Sequence, residues 1–500
     1  KTLADTNPFQ MIGMQAAVDR IRFALNHNEP IAIYGDYDVD GVTATALLVE
    51  ALRTLGANVR GYIPNRFDEG YGLNKDALDS LKADGVKLVI TVDCGIRSPD
   101  ETLHARAIGL DLIISDHHHP DGDNLPPAFA VINPKQHGDP YPDKDLAGVG
   151  IAYKIVEGLM SKVEGQTAGD QLTGLLDLVA LGTVADVVPL DFNNRVLVAQ
   201  GLARIRAGRC VPGIRALLEI ARRDRADLTA SDLGFAIAPR LNAAGRLDDM
   251  SIGIRCLLAE REVEARSLAA RLDQLNVERR AIEGQMQVQA LAAVRHLGPI
   301  ATPGARQRSG VCLFDATWHQ GVVGLVASRI KERLRRPVVA FAHGGDGLLR
   351  GSARSVAGVH VRDVLENIAA RHPGLIVRFG GHAMAAGLTL AHEQLDAFAA
   401  AFDAEVAGWL GANADRDRLD TDGELAVDDI CLATAEALRA GGPWGAAFPE
   451  PVFDGGFSVE RARIVGEKHV KMWVELAGTS RRFDAIAFNL LADEGARPRG

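Results

Sequence analysis

Paired cysteines are missing from this chain. The five present, Cys94, Cys210, Cys256, Cys312 and Cys431, are odd in number and scattered, with no Cys-x-x-Cys among them, which argues against a zinc ribbon or a redox dithiol. A reducing, cytoplasmic compartment is the expectation that follows. Any run of 18 or more apolar residues is missing too. Even the stretch from Leu175 to Leu190 is interrupted by Asp177 and Asp186, so no membrane span is expected and the protein is read as soluble. No low-complexity tract or short repeat is evident. The chain opens at Lys1 with neither Met nor an apolar stretch of the signal-peptide kind, so an upstream segment is expected to have preceded it.

What is present is ordinary globular material: 500 residues, 47% hydrophobic and 24% charged. That is enough for two to four domains, each with its own core. The net charge of −10 gives no whole-chain attraction for nucleic acid. Net charge averages over domains, however, and leaves room for a local basic groove.

In the first quarter, the runs Ile31 to Tyr34, Val86 to Val92 and Leu110 to Ile114 are β-branched and lack polar alternation, as strands buried on both faces should be. Helical spacing fills Val42 to Leu55 and Asn74 to Lys82, so the strand–helix order predicts a parallel α/β sheet. Ligands of such sheets bind beyond the carboxyl ends of the strands. From Leu257 to Leu297 there is no Pro, only Gly284, and near-heptad apolar spacing at Leu268, Leu272, Leu275, Ile282 and Met286, which predicts one long connecting helix. Ala301 to Ser309 reads as a linker, after which Val311 to Asp315 and Val338 to Phe341 open a second α/β unit. Strand-like runs at Gly456 to Val465, Val470 to Leu476 and Phe483 to Phe488 predict a small C-terminal β-barrel or sandwich.

The strongest chemical signal is GDYDVDG, which sets Asp36, Asp38 and Asp40 directly after a buried strand. A single Asp there is usually a helix cap. Three crowded carboxylates repel unless cations neutralise them. The second strand ends in TVDCG with Asp93, and the third in SDHHHP with Asp116, His117, His118 and His119. Acids and imidazoles from neighbouring strand ends can converge, and an Asp-rich set with one or two His favours Mn2+ or Mg2+ over structural zinc. Adjacent histidines cannot both point the same way, so one is available for metal and the other for substrate. In DLVALGTVADVVPL, Asp186 stands in apolar surroundings and should either face the metals or cap a turn. Together these carboxylates suffice to bridge two divalent ions, an arrangement suited to phosphoester hydrolysis.

The order GDYDVDG, TVDCG, SDHHHP and LGTVADVVPL resembles the four motifs of the DHH phosphoesterase superfamily. Further along, APRLNAAGR (238–246), TWHQGVVGLVASR (317–329), RGSARS (350–355) and RFGGHAMAAG (378–387), with PNRFDEGYGL (64–73), are similar to motifs of the RecJ family, bacterial single-strand-DNA-specific 5′-to-3′ exonucleases acting in repair and recombination. The resemblance implies a parallel-sheet DHH domain (1–255), a long helix (256–300), a smaller α/β DHH-associated domain (305–419) and an oligonucleotide-binding (OB) barrel (420–500). It implies a two-metal centre of Mn2+ or Mg2+ ions held by Asp36, Asp38, Asp40, Asp93, His117, His118 and Asp186, with Asp116 orienting a histidine. Ser352, Arg354 and His382 would hold phosphates, Arg240 or Arg246 would reach the terminal one, and Arg66 is a candidate to grip or block the DNA end; by residue type, His319 and Trp318 suit stacking on or positioning a nucleotide, and Trp318 equally suits a buried core position. Single-stranded DNA is the implied substrate, with a single-strand-binding protein and a helicase as partners. Basic stretches at 204–225 and 329–336, and Lys468, Lys471, Trp473, Arg481 and Arg482 near the barrel strands, are further candidate DNA contacts. Two rivals stay open at this level: a superfamily enzyme for pyrophosphate or small nucleotides, and a non-cutting scaffold that binds single strands.

Overall fold

The computed structural model describes residues 6–64, 72–122, 124–162, 167–296, 308–410, 420–466 and 469–490. The chain divides into two compact units, Lys1–Arg416 with Pro443–Phe448, and Asp417–Gly442 with Pro449–Gly500.

The first unit is built on two sheets. In the first sheet β1 (Ile31–Gly35), β2 (Val59–Tyr62), β3 (Leu88–Val92), β4 (Asp111–Ser115) and β5 (Ala130–Ile132) lie in the order β2-β1-β3-β4-β5, all parallel. The sequence pattern explains why β1, β3 and β4 form. Ile31 and Ile33 pack into one core cluster while Ala32 and Tyr34 pack into another on the opposite face, so both faces of the strand are apolar and no polar alternation remains. Edge strands β2 and β5 are short, four and three residues, and carry no such pattern. The strand order reverses its winding between β1 and β3, so a crevice opens at their carboxyl ends. Asp36, Asp38, Asp40 and Asp93 all lie at that point.

The long helix runs from Glu262 to His296, 35 residues, or about 52 Å at 1.5 Å per residue. Its first half contributes Ala265, Ala269, Leu272 and Leu275 to the core around the first sheet. Its second half contributes Met286, Ala290 and Val294 to a separate core with Val323, Val326 and Ile330. Between the two stripes lies a polar trio: Arg279 donates to Asn276 Oδ1 at 2.8 Å and to Glu283 at 2.6 Å. Glu283 also accepts from Arg329 Nε, 3.2 Å away on helix Val323–Leu334. The helix is thus a strut shared by both cores. The expected linker at 301–309 falls mostly on residues outside the description; Ser309 and Gly310 are held by Asp403 Oδ1 at 2.5 and 3.1 Å.

The second sheet contains β6 (Val311–Phe314), β7 (Val338–Gly345), β8 (Leu348–Arg354), β9 (Arg378–Gly381) and β10 (Ala385–Ala391), ordered β6-β7-β8-β10-β9. β6 and β7 are parallel; the remaining pairs are antiparallel. Pro443–Phe448 joins this unit through a hydrogen bond from Leu190 N to Ala446 O, 2.7 Å, and through Arg195, stacked over the Phe448 ring at 3.7 Å.

The second unit has helix Leu432–Gly441 and three antiparallel strands, β11 (Phe457–Val465), β12 (His469–Leu476) and β13 (Arg482–Ala487). The described residues give an open three-stranded sheet. Val470, Val474 and Leu476 are its buried side chains, while β11 is exposed along nearly its whole length.

Candidate metal centre

Each acid is positioned by local backbone chemistry. After β1 the chain turns so that Asp36 accepts from Tyr37 N at 2.7 Å. Asp38 caps helix Val39–Thr54 through Gly41 N at 3.1 Å, so the cap reading and the cluster reading hold together for this residue. Asp40, in that helix's first turn, reaches across to helix Gly148–Met160 and accepts from Gly148 N at 2.6 Å and Val149 N at 2.8 Å. Gly148 is required by space. A Cβ there would stand 2.8 Å from Asp93 Cβ and 2.9 Å from Asp40 Oδ2. Nothing in the sequence marks these two amides beyond the run of small residues LAGVG ahead of an apolar helix.

Asp93 follows β3 with φ +61°, the left-handed region that L-residues other than Asn and Asp seldom adopt. Asp186 ends helix Leu176–Ala185, its N–H bonded to Gly182 O at 2.9 Å. After β4, Asp116 is the hub of a buried network. It accepts from Ile96 N at 3.0 Å on one oxygen, and from His118 N at 3.0 Å and His118 Nδ1 at 2.7 Å on the other.

These elements converge on His117. Its Nε2 lies 3.1 Å from Asp93 Oδ1, 3.5 Å from Asp186 Oδ2 and 3.9 Å from Asp40 Oδ2. His118 Nδ1 is 3.8 Å from Asp93 Oδ1. Three groups each bring their ligand atoms within 4.8 Å of one another: Asp93 with His117 and His118, Asp40 with His117 and Asp186, and Asp36 with Asp38 and Asp93. Asp93 and His117 are each shared by two groups.

Burial dominates the electrostatics. It lifts Asp36, with help from Asp38, from 3.8 to about 8, and Asp186, again with Asp38, to about 7. Asp40 and Asp93 are pushed well above the carboxylate range by burial and by the other acids. Burial, then the neighbouring His118 charge, pulls His117 down to about 3, so its ring is neutral with a lone pair to give. His118 behaves oppositely. Burial opposes its charge, but the Asp116 bond outweighs burial and raises it to about 9; in return Asp116, despite its own burial, is held down at about 2.

Buried polar atoms are normally satisfied. Here Asp93 Oδ1, Asp186 Oδ2 and both ring nitrogens of His117 are buried without a hydrogen bond. Orphaned oxygens and a neutral imidazole, facing one another among acids that lack counter-charge, are the donor set of a hard divalent cation.

The second sheet supplies a basic wall. Arg354 Nη1 donates to Ser352 Oγ at 2.9 Å, and both face the start of helix Val323–Leu334. A Cβ on Gly324 would come within 2.8 Å of Arg354 Nη2 and 2.9 Å of Ser352 Oγ. RFGGHAMAAG forms β9, a tight turn and β10, and the turn presents His382 to the acidic centre, stacked on His118 with ring centroids 5.6 Å apart and planes at 13°. Burial, then the charges of Arg97, His118, His119 and Arg362, push His382 down to about 4. Arg246 Nη1, at the end of helix Ala238–Leu247, donates to Gly321 O at 3.4 Å, and Gly321 N donates to His319 Nδ1 at 3.1 Å, so Gly321 joins these two candidates.

Other candidates sit differently. Trp318 is not a stacking platform: it is 5% exposed and donates through Nε1 to Gln289 on the long helix at 2.9 Å, because the aromatic body fills the second core. Arg240 is paired with Asp273 at 2.8 Å and donates to Ala236 O. Several arginines of the basic stretches make internal ties, Arg206 to Leu228 O, Arg215 to Glu262, Arg223 to Asp232 and Arg329 to Glu283. On the C-terminal sheet Lys471 pairs with Asp484 at 2.8 Å, Arg482 with Glu460 at 2.8 Å, and Arg481 donates to Ile430 O at 3.2 Å, while Trp473 is exposed. Arg66 and Lys468 lie outside the described residues.

Comparison with known proteins places this geometry. The family models for the DHH family, N-terminal domain, the DHHA1 domain and the RecJ OB domain match residues 30–183, 307–408 and 421–497. The single-stranded-DNA-specific exonuclease RecJ of Dickeya dadantii is 51% identical over 490 residues, covering 96% of this chain and 84% of that protein. The protein of that name from Escherichia coli is 48% identical over 502 residues, covering 98% and 86%. Among solved structures, RecJ of Thermus thermophilus in complex with Mn2+ superposes with a TM-score of 0.79 at 31% identity, covering 97% of this chain and 66% of that one. Its Mg2+ complex gives 0.73 at 29%, covering 97% and 65%.

Proposed function

This chain belongs to the RecJ family, and from that premise we propose that it is a single-stranded-DNA-specific exonuclease, degrading 5′ to 3′ to mononucleotides by two-metal phosphodiester hydrolysis in repair and recombination. The observation that carries the reading is the set of orphaned, mutually facing atoms on Asp93, His117 and Asp186. Asp36, Asp38, Asp40, Asp93, His117 and Asp186 would hold the Mn2+ or Mg2+ ions, and the two groups Asp36–Asp38–Asp93 and Asp40–His117–Asp186, brought together where His117 Nε2 lies 3.1 Å from Asp93 Oδ1, suit two neighbouring ions. When bound, such a pair supplies Lewis acidity and lowers the pKa of attacking water.

His118 has a different assignment from the one its motif suggests. Held protonated by Asp116 and stacked on His382, it is better suited to steadying negative charge on the scissile phosphate than to donating a lone pair. Ser352 and Arg354 beside the start of helix Val323–Leu334 are the phosphate-holding pair, the planar guanidinium matching phosphate oxygens. Anchoring a terminal phosphate there, with His319 on the adjoining loop and Arg246 at the end of helix Ala238–Leu247, would set the 5′ polarity. Arg240, tied to Asp273, and Arg66 are assigned to the same strand. The domain limits are assigned as 1–255, 256–300, 305–419 and 420–500, the last carrying the OB module and its exposed Trp473. Five free cysteines suit a cytoplasmic setting, where a single-strand-binding protein and a helicase would supply substrate.

The test is a Mn2+ titration against 5′-labelled single-stranded, duplex and RNA substrates. Mononucleotide release from the single-stranded DNA alone is expected. Cleavage of the duplex at an equal rate, or binding without cleavage at any Mn2+ concentration, would overturn the reading.

A further inference from the structure

Two guanidiniums from opposite walls meet beside the acidic centre without belonging to it. Arg97 follows the Asp93 turn in the first domain. Arg362 is the second residue of helix Val361–Arg371 in the second. Asp121 lies between them, its Oδ1 3.3 Å from Arg97 Nε and 3.9 Å from Arg362 Nη2. Neither contact is a fork: Arg97 Nε gives its hydrogen bond to the His119 carbonyl at 3.0 Å. Asp121 is itself 57% exposed, and an exposed pair held by charge alone is weak.

We propose that Arg97 and Arg362 form a subsite for a backbone phosphate of the single strand, and that Asp121 stands in for the phosphate until DNA displaces it. The proposal rests on the exonuclease reading above and adds a contact that reading does not use. Three observations carry it. First, two cations converge on one loosely held carboxylate, an arrangement with charge to spare for an anion that can accept both forks, as a phosphodiester does. Second, Arg362 sits in the first turn of its helix, where the macrodipole disfavours a cation, a cost that a bound anion would offset. Third, the pair adjoins His382, whose ring both guanidiniums influence and which stacks on His118. A strand entering the acidic centre past that stack would run along these side chains. The subsite also joins the two domains, so a phosphate held there would fasten the walls of the cleft together.

Binding of a fluorescent oligodeoxythymidylate, measured in chelator so that cleavage cannot intervene, separates the possibilities. R97A and R362A should each weaken affinity about five- to tenfold, and the double variant should lose about 0.7 from the slope of log K against log salt, the value for one phosphate on a single strand. D121A should do the reverse, tightening binding about threefold by removing the competitor. That gain should vanish when both arginines are already gone. A neutral methylphosphonate linkage moved along the oligomer should cost the unmodified protein affinity at one position and cost the double variant nothing there. All three residues are at the surface, and melting curves check that the variants fold. An unchanged salt slope in the double variant, or weaker binding by D121A, would overturn the subsite. With Mn2+ added, failure of the unmodified protein to cut the same oligomer would instead sink the exonuclease reading itself.

Discussion

Replacing Asp116 by Asn tests the electrostatic core of the site. Three donors, Ile96 N, His118 N and His118 Nδ1, converge on its two oxygens at 3.0, 3.0 and 2.7 Å. An amide offers one oxygen and one NH2, so one side must set a donor against a donor at a cost of about 1–3 kcal/mol. The larger effect falls on His118. With the carboxylate in place it titrates at about 9 rather than 6.5, and Asp116 at about 2 rather than 3.8. These are two views of one bond and count once, as about 2.5–3.5 kcal/mol at 1.36 kcal/mol per unit. Without the carboxylate, burial alone acts on the ring and drives its pKa below the ordinary value. Histidine NMR of the chelated protein, with a His118 variant for assignment, should show the His118 titration point falling from about 9 to under about 6.5. The raised His118 pKa contributes stability that is fully present below about 6.5 and lost as pH rises through about 9, so the stability gap between the variant and the unmodified protein should narrow over that range. At neutral pH the variant lacks the imidazolium, and turnover should drop about 10–100-fold. A His118 that still titrates near 9 in the Asn variant would refute this account.

Asp93→Asn keeps the side-chain type that tolerates φ +61° while removing the charge, so cleavage should fall at least about 10³-fold with strand binding in chelator nearly unchanged; near-normal turnover would contradict the assignment. Asp36 and Asp186 have folded pKa values of about 8 and 7 against 3.8. They take up protons on folding, and the stability they contribute is present below about pH 4 and lost as pH rises toward 8. The first thermal transition of chelated protein should therefore fall across that range while the gain from added Mn2+ grows; a flat metal-free profile would count against it. Gly324→Ala should push the flexible end of Arg354 aside with little loss of stability, yet raise KM about tenfold on 5′-phosphorylated single strands. Equal KM values for the variant and the unmodified protein would show that Ser352 and Arg354 do not hold the phosphate.

The first sheet was legible where burial on both faces erased alternation. β1, β3 and β4 are continuous β-branched runs because a core lies on either side of them. The edge strands were not, since Val59–Tyr62 is buried only at Val59 and has no pattern to show. The acids after β1, β3 and β4 could be collected from sequence because strand ends in a parallel sheet point to one edge. What receives them could not. Nothing in Gly148 and Val149 announces that their amides will bind Asp40 across 108 and 109 residues. Trp318 shows the same limit from the other side: a Trp beside a His in a glycine-rich motif suits a nucleotide platform as well as a core anchor, and only the position of Gln289 on the long helix decides between them. The long helix was readable from its spacing. Its polar interruption at Asn276, Arg279 and Glu283 was not, because that gap takes its meaning from two separate cores.

The centre is costly by every local measure, and the costs share one remedy. Asp93 occupies a backbone region of low population; Asp40 sits buried against a helix start with the space for a Cβ at Gly148 removed; Asp93, His117 and Asp186 leave polar atoms without partners. A fold selected only for stability would exchange these groups for amides or apolar residues. Hydrogen bonds alone would not suffice, since the two amides that serve Asp40 leave its pKa far above the carboxylate range. Protons would quiet the repulsion, and a protonated Asp93 could donate to His117 Nε2 at 3.1 Å, but that single lone pair cannot also satisfy Asp186 Oδ2. A divalent cation satisfies the orphaned oxygens, the imidazole and the missing counter-charge at once. On the function proposed above, the strain serves to hold ligand atoms facing an ion, and His118, bonded to Asp116 at 2.7 Å, keeps its charge for the substrate.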